Sequence, residues 1–172
     1  NIARTVESSK KQKRDIEKLA HELTYRRYLM SKGQVRDFFR NISIQEYIAL
    51  HIIAMENETS DIYSGRTYLQ DLSEKMQLTV RQTSRMAGEL RDRGLILWSH
   101  DGNGSEGTYV TITDNGKKLL QAQEEILKKY YEKVIERFGR ENMIGLLQMM
   151  KQLETIMSSE MEEMEEAGCY EK

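Results

Sequence analysis

The chain has no proline and a single cysteine among its 172 residues, and these two absences already restrict its structure. Without proline nothing forces a helix to kink, so long uninterrupted helices are favoured. The lone Cys169 excludes a disulfide framework within the chain and suits a reducing compartment. No apolar run approaches the roughly 20 residues that cross a bilayer, and the first residues lack the apolar segment of a signal peptide. We therefore expect one domain-sized unit in the cytoplasm with no membrane segment.

Charge is distributed unevenly along the chain. The formal net charge of −2 does not by itself indicate an acidic partner. Residues 1–40, however, carry 11 basic and 5 acidic side chains, whereas residues 154–172 carry 1 and 7. The acidic C-terminal residues therefore offset the positive charge of the N-terminal part in the net charge of the chain. Because basic side chains along helices often serve solvation alone, this distribution supports nucleic-acid binding only weakly.

The strongest local pattern lies in residues 67–116. Thr67 with Gln70, and Thr79 with Gln82, have the spacing of a capping box, in which a hydroxyl and an amide bond to the free N–H groups of a helix's first turn. Each pair is followed by an apolar stripe of helical period: Leu69, Leu72 and Met76, then Val80, Thr83, Met86, Ala87 and Leu90. Two short capped helices joined by a tight turn predict a helix-turn-helix.

A β-hairpin is predicted to follow the second helix. Gly94 marks the end of that helix, and residues 95–98 (LILW) form an apolar run suited to a strand. Residues 101–104 (DGNG) are a strong turn signal, and residues 108–112 (TYVTI) supply the return strand. A further helix should begin near Asp114. The order of elements is that of a winged helix-turn-helix, mainly α with a small β-hairpin wing.

The second helix of the pair offers a polar face. Its apolar stripe leaves Arg81, Gln82, Ser84, Arg85 and Glu89 pointing outward, and the two arginines, four residues apart, share one side. Arginine suits guanine, glutamine suits adenine, and serine suits either base, while all of them bind phosphate. An ordinary solvated face is the alternative interpretation. The position of this helix between a turn and a hairpin favours the interpretation as a DNA-reading helix.

Four segments resemble the DNA-binding core of MarR-type transcriptional regulators. Ser84 and Arg85 stand where that family often has Thr-Arg, and residues 90–96 (LRDRGLI) resemble its Leu-x-x-x-Gly-Leu-Val exit. Residues 110–119 (VTITDNGKKL) resemble its entry to the next helix, and residues 42–53 (ISIQEYIALHII) resemble its second helix. The resemblance covers at least residues 12–157. It implies a dimer that binds a pseudo-palindromic duplex and represses or adjusts transcription.

The wing departs from that family's pattern. Its arginine, which reaches the minor groove, has no counterpart in residues 100–107 (HDGNGSEG), which contain no Lys or Arg and two acids. The wing is therefore expected only to touch a phosphate through its polar side chains or backbone. The recognition helix, its phosphate-positioning neighbours and the wing together give the predicted DNA contacts: Arg66, Thr67, Thr79, Arg81, Gln82, Ser84, Arg85, His100, Asn103, Ser105 and Lys117.

Helices are predicted on both sides of this core, over residues 12–30, 43–56, 114–138 and 141–166, with a polar linker at 57–66. Residues 41–116 are assigned to the DNA-binding region, and residues 1–40 and 117–172 to a helical dimerisation region. The last helix carries a near-heptad seam of apolar residues beside a second apolar row, so it needs two partners. One would be the body of its own chain and the other a second copy, and the alternative is that both rows are buried within one subunit. The predicted dimer contacts are Ile16, Leu19, Leu23, Met143, Leu146, Met150, Leu153 and Met157.

Other kinds of site find little support. The three histidines have no metal-ligand spacing, no phosphate loop or catalytic triad is ordered, and neither an enzyme nor a cofactor is expected. Cys169 as a peroxide sensor is disfavoured, because its acidic neighbours oppose the thiolate. The resemblance implies a pocket for a small aromatic or phenolic effector, although each candidate is more simply a core or interface residue. The candidates are His21, Tyr25, Tyr28, Tyr47, His51 and Met55.

These observations predict a cytoplasmic, sequence-specific DNA-binding regulator that acts as a homodimer on double-stranded DNA. The competing prediction is a winged-helix adaptor that binds proteins and has lost its affinity for DNA. The wing without Lys or Arg and the negative net charge favour the second prediction.

Overall fold

The computed structural model describes residues 2–33, 38–57 and 65–168, which fall into two compact units, residues 1–123 and 124–172. Most of the predicted linker at 57–66, and Cys169, lie outside the described residues. The described part forms six helices and three strands: α1 (Ile2–Ser31), α2 (Ile44–Asn57), β1 (Thr67–Tyr68), α3 (Leu69–Met76), α4 (Val80–Asp92), β2 (Ile96–His100), β3 (Thr108–Ile112), α5 (Asp114–Phe138) and α6 (Arg140–Glu166). The predicted mainly helical class with a small β-wing is confirmed. Helix α5 begins in the first unit and ends in the second.

The helix-turn-helix consists of α3 and α4. The turn between them is made by Gln77, which takes a left-handed conformation (φ 54°), and by the Leu78 N–H, which donates to the Ser73 carbonyl at 3.0 Å. Helix α4 then begins with the predicted capping box, since the Thr79 hydroxyl accepts from Gln82 N and the Gln82 side chain accepts from Thr79 N. This short, closed turn fixes the start of α4 relative to α3.

The prediction of a capping box at Thr67 and Gln70 is wrong. Helix α3 starts at Leu69, and its N-cap is Tyr68, which makes no side-chain cap hydrogen bond. Thr67 instead belongs to β1 and is only 3% exposed, because the extended pair Thr67–Tyr68 finds backbone partners on β3. The inward position predicted for Val80 is also wrong. Val80 is the first residue of α4 and is 54% exposed, so it lies beyond the core that the following turns cover.

The wing is a three-stranded antiparallel sheet rather than a lone hairpin. The strand order is β1-β3-β2, with β3 paired on both sides: Val110 lies opposite Thr67 on one edge and Trp98 on the other. A short 3₁₀ turn at Gly104–Gly107 connects β2 to β3. Because β1 runs directly into α3, the sheet ties the wing to the helix-turn-helix.

The core of the first unit lies where α2, α3, α4 and the sheet meet. Leu50, Ile53, Leu72, Leu90 and Ile96 are its largest fully buried apolar side chains with Val110. In α4 the predicted stripe of Thr83, Met86, Ala87 and Leu90 is buried. The predicted reciprocal cap of α2 is also present, since Ser43 Oγ accepts from Glu46 N and Glu46 Oε1 accepts from Ser43 N. The same alternation of buried and exposed positions therefore presents the polar face of α4 to solvent.

Helices α1 and α6 expose their apolar side chains. Helix α1 starts at Ile2, ten residues before the predicted position, and none of its residues is buried within the described chain. Helix α6, all of whose residues are described, also has no buried residue, although Met143 and Leu146 are half-buried. From Met150 onward the seam side chains are 40–47% exposed. Within the described ranges no helix is both long and apolar enough to span a membrane.

Candidate nucleic-acid interface

The outward face of α4 is accessible in the first unit. Arg81, Gln82 and Arg85 are exposed, and Ser84 is half-buried. The Arg85 side chain, 85% exposed, has its Nε 3.8 Å from Glu89 Oε1 one turn later. An exposed pair of this kind contributes at most about 1 kcal/mol, so the guanidinium can leave it for a phosphate or a base. Arg81 and Arg85 thus present two guanidinium groups on one side of the helix.

Gln82, a predicted base contact, also forms the capping box at the start of α4. Its Oε1 accepts the Thr79 N–H at 3.0 Å, and its own backbone N–H donates to Thr79 Oγ1 at 3.1 Å. The amide that the sequence assigned to adenine is therefore committed to the helix start, and a bidentate base contact would have to compete with the capping box. Thr79 is exposed at the N-terminus of α4. A phosphate would approach the free N–H groups of the first turn at this position.

The tip of the wing is held by hydrogen bonds within itself. Gly102 N donates to His100 Nδ1 at 2.8 Å, and His100 Nε2 donates to the Gly104 carbonyl. Both ring nitrogens are thus engaged inside the tip. The phosphate contact of His100 stays a prediction, and the ring would have to leave these two partners to make it. Asn103 and Ser105 are exposed, and their contacts with DNA remain predictions.

Asp101 anchors the same turn from the other side. Its carboxylate accepts the Asn103 N–H at 2.8 Å and the Tyr68 hydroxyl at 3.0 Å, and its own N–H donates to the Gly107 carbonyl at 3.0 Å. The Asn103 backbone hydrogen bond is the main cause that lowers the pKa of Asp101. This acid therefore stays ionised and has structural partners, although the sequence suggested only that it would oppose DNA.

A cluster at the edge of the sheet was not predicted as a unit. Arg66 lies with its Cζ 4.5 Å from the centroid of the Tyr109 ring, and Tyr109 lies 5.7 Å from the Tyr68 ring across the β1–β3 pair. Thr67, between Arg66 and Tyr68 in sequence, points into the core and cannot contact a phosphate, which corrects that prediction. No local signal in the sequence marks this cluster, because the extended conformation of β1 depends on its pairing with β3.

Two further arginines attach α4 to its surroundings. The Arg91 guanidinium lies 5.3 Å from the Trp98 ring, and Arg93 contacts both Glu46, at 3.4 Å, and the Asn41 carbonyl. These contacts fix the carboxyl end of α4 on β2 and on the start of α2. Lys117, in the first turn of α5, is exposed and remains a predicted phosphate contact.

The candidate effector residues are not brought into one enclosed group. His21, Tyr25 and Tyr28 lie on the exposed α1, where the His21 and Tyr25 rings stack with centroids 6.5 Å apart. On α2, His51 and Met55 are exposed, whereas Tyr47 is half-buried against the core and meets Phe39 edge-on at 5.5 Å. Tyr47 is thus a packing residue of the first unit. Across the described ranges, no three His, Cys, Asp or Glu side chains are grouped to hold a metal ion.

Comparison with known proteins identifies the fold. No protein-family model and no curated protein matches the sequence. Among solved structures, NadR in complex with 4-hydroxyphenylacetate is 21% identical over 81% of this chain and 96% of its own, with a TM-score of 0.60. NMB1585, a MarR family regulator from Neisseria meningitidis, is 18% identical over 87% and 97%, with a TM-score of 0.62. The PcaV transcriptional regulator from Streptomyces coelicolor, in complex with its natural ligand, is 11% identical over 77% and 89%, at 0.63. The chain therefore has the winged-helix fold of MarR family transcriptional regulators.

Proposed function

We propose that this protein is a sequence-specific DNA-binding transcriptional regulator, a repressor that occupies a pseudo-palindromic duplex. The observation that carries the proposal is the exposed face of α4, where Arg81 and Arg85 stand on one side of a capped helix that follows a tight turn. A helix in this position enters the major groove with its N-terminal residues toward the bases. The fold shared with MarR family regulators supports the same function.

We further propose that the active form is a homodimer joined by its terminal helices. Two recognition helices read a palindrome only when they are held about one helical turn of DNA apart, roughly 34–36 Å. The apolar rows of α6 are exposed over most of the helix, and a second copy of the chain would cover them. Extended apolar faces of this kind are typical of obligate interfaces, which bury more than about 2,000 Å².

Replacing Arg85 by alanine should weaken binding to the selected duplex by about 1–3 kcal/mol, roughly 5- to 150-fold, because one guanidinium contact to a base or phosphate is lost. The duplex is first obtained by selecting from random sequences with the unaltered chain, and affinity is then measured by fluorescence anisotropy over a series of salt concentrations. Circular dichroism verifies that the variant is folded.

Lys128→Ala is the matched control, since Lys128 is also an exposed cation with an acid, Glu132, four residues later. It removes the same charge from a position on α5 that is about three turns beyond Lys117 and has no predicted DNA contact. Equal losses for both variants would mean that only net charge matters and would contradict the role of Arg85. A regulator should also lose affinity steeply as salt increases, whereas absence of duplex binding even at low salt would support the adaptor alternative.

We also propose that a small aromatic or phenolic acid releases the DNA. The support is that NadR was solved with 4-hydroxyphenylacetate, together with the aromatic and histidine side chains on α1 and α2. Millimolar 4-hydroxyphenylacetate and related phenolic acids should lower duplex affinity, with aliphatic acids of equal charge as the control. Affinity unchanged by every aromatic acid of the series would contradict this part of the proposal.

A further inference from the structure

We propose that Arg66 supplies the wing's contact with the sugar–phosphate backbone of DNA, and that Tyr68, Tyr109 and Asp101 are positioning residues that hold its guanidinium for that contact. This inference rests on the proposed DNA-binding function. The hairpin tip has no Lys or Arg, so the basic contact of the wing with DNA is assigned to the residue that directly precedes β1. Under the same proposal, Asp101 at the tip favours DNA binding because it helps to hold Arg66 in place.

The first support is the stacking of Arg66 on the sheet. Residues 66 and 68 alternate with the buried Thr67, so they lie on the outer side of the sheet edge, where Tyr68 is the cross-strand neighbour of Tyr109. The Arg66 Cζ lies 4.5 Å from the centre of the Tyr109 ring. Stacking uses the face of a guanidinium, while its N–H donors lie in its plane, which is the geometry that suits the oxygens of a phosphate.

The second support is the set of contacts that connects the aromatic side chains beside Arg66 to the wing tip. A side-chain hydrogen bond with Tyr68 is the largest cause that raises the pKa of Arg66, and the Tyr68 hydroxyl donates to Asp101 Oδ2 at 3.0 Å. Asp101 is itself fixed by the Asn103 N–H and the Gly107 carbonyl. Tyr68 therefore connects the surroundings of Arg66 to the carboxylate, because its ring lies against Tyr109 and its hydroxyl donates to Asp101.

The third support is the close approach of Asp101 to Gly107 at the wing tip. A Cβ atom on Gly107 would lie 2.1 Å from Asp101 Oδ1 and 3.1 Å from His100 Cε1. The exposed carboxylate thus lies close to the backbone of the hairpin at Gly107. An acid held in this way serves as the counter-ion of the wing, and its order is transmitted to Arg66 through the single hydroxyl of Tyr68.

The sign of one substitution tests the proposal. If Asp101 only repels DNA, Asp101→Asn should strengthen binding. If Asp101 positions Arg66, the same change should weaken binding several-fold, because an amide is a poorer acceptor for the Tyr68 hydroxyl than a carboxylate. Glu106→Gln is the matched control, since it removes the other acid of the same hairpin and should leave affinity unchanged or raise it.

Two more variants complete the experiment, which measures anisotropy on the selected duplex and on a random duplex with the full chain. Arg66→Ala should weaken binding to both duplexes by a similar factor, roughly tenfold, and reduce the salt slope by about 1, as loss of a phosphate contact does. In the Arg66→Ala background, Asp101→Asn should no longer weaken binding. A merely structural role of Asp101 would weaken binding in both backgrounds.

The outcomes are distinguishable from failure of the proposed function. If the unaltered chain binds no duplex, both proposals are overturned. If it binds and Arg85→Ala weakens binding, but Arg66→Ala does not, only this inference is overturned. Stronger binding by Asp101→Asn in the unaltered background would also overturn it. Thermal unfolding of each variant is measured in parallel, and a loss of affinity without loss of stability is the result expected for Arg66.

Discussion

Replacement of Gly116 by alanine should destabilise the first unit by about 3 kcal/mol, which is at the upper end for overpacking a buried site. A Cβ atom at this position would lie 2.2 Å from the Leu95 carbonyl oxygen and 2.8 Å from Ile112 Cγ1. The clash is with backbone, so no side-chain rotation relieves it. The Leu95 carbonyl also accepts the Thr113 N–H at 3.0 Å, so moving it would break the joint between α4, β2 and α5.

Gly88→Ala provides the control, because Gly88 is also a helical glycine but has no heavy atom within 4 Å of its added Cβ. Alanine inside a helix is favoured over glycine by about 1 kcal/mol, so this variant should be as stable as the unaltered chain or more so. Urea unfolding followed by circular dichroism gives the two midpoints. Equal midpoints for the two variants would show that α5 does not closely contact Leu95 and Ile112 at Gly116.

The parts of this fold that were predicted correctly are those with local signals. The start of α4 follows from the Thr79 and Gln82 pair, and its buried side from the spacing of Met86 and Leu90. These features depend on contacts within a few residues along the chain, which a sequence pattern contains. Helix α5 likewise begins and ends where the sequence predicted, at Asp114 and Phe138.

The part that was missed depends on residues far apart in the sequence. Strand β1 has only two residues, and nothing local distinguishes them from the first turn of a helix, as the incorrect capping prediction at Thr67 illustrates. Their extended conformation follows from pairing with β3 some forty positions later. The candidate site divides in the same way. The arginines of α4 follow from periodicity, whereas the environment of Arg66 combines three separate segments.

Two acidic substitutions in the seam of α6, Leu153→Glu and Met157→Glu, should convert the proposed dimer to monomers. Burying each of these side chains contributes about 1.5–3 kcal/mol, and a two-fold interface contains each of them twice. The expected loss is thus roughly 6 kcal/mol or more, about four orders of magnitude in the dimer dissociation constant. Glutamate is a good helix former, so α6 itself should persist. Sedimentation velocity over a concentration series measures the change.

The matched control is Gln148→Glu with Ser159→Glu, which adds the same charge to exposed positions on the polar side of α6. It should remain dimeric, because no apolar contact is lost. DNA then tests whether the seam has functional meaning. The seam variant should bind a full palindrome no better than a single half-site, whereas the control should keep its preference for the palindrome, since that preference arises from two linked recognition helices. A seam variant that stays dimeric at the concentrations of the unaltered chain would place the interface elsewhere, and one recognition helix would then have to supply all of the specificity.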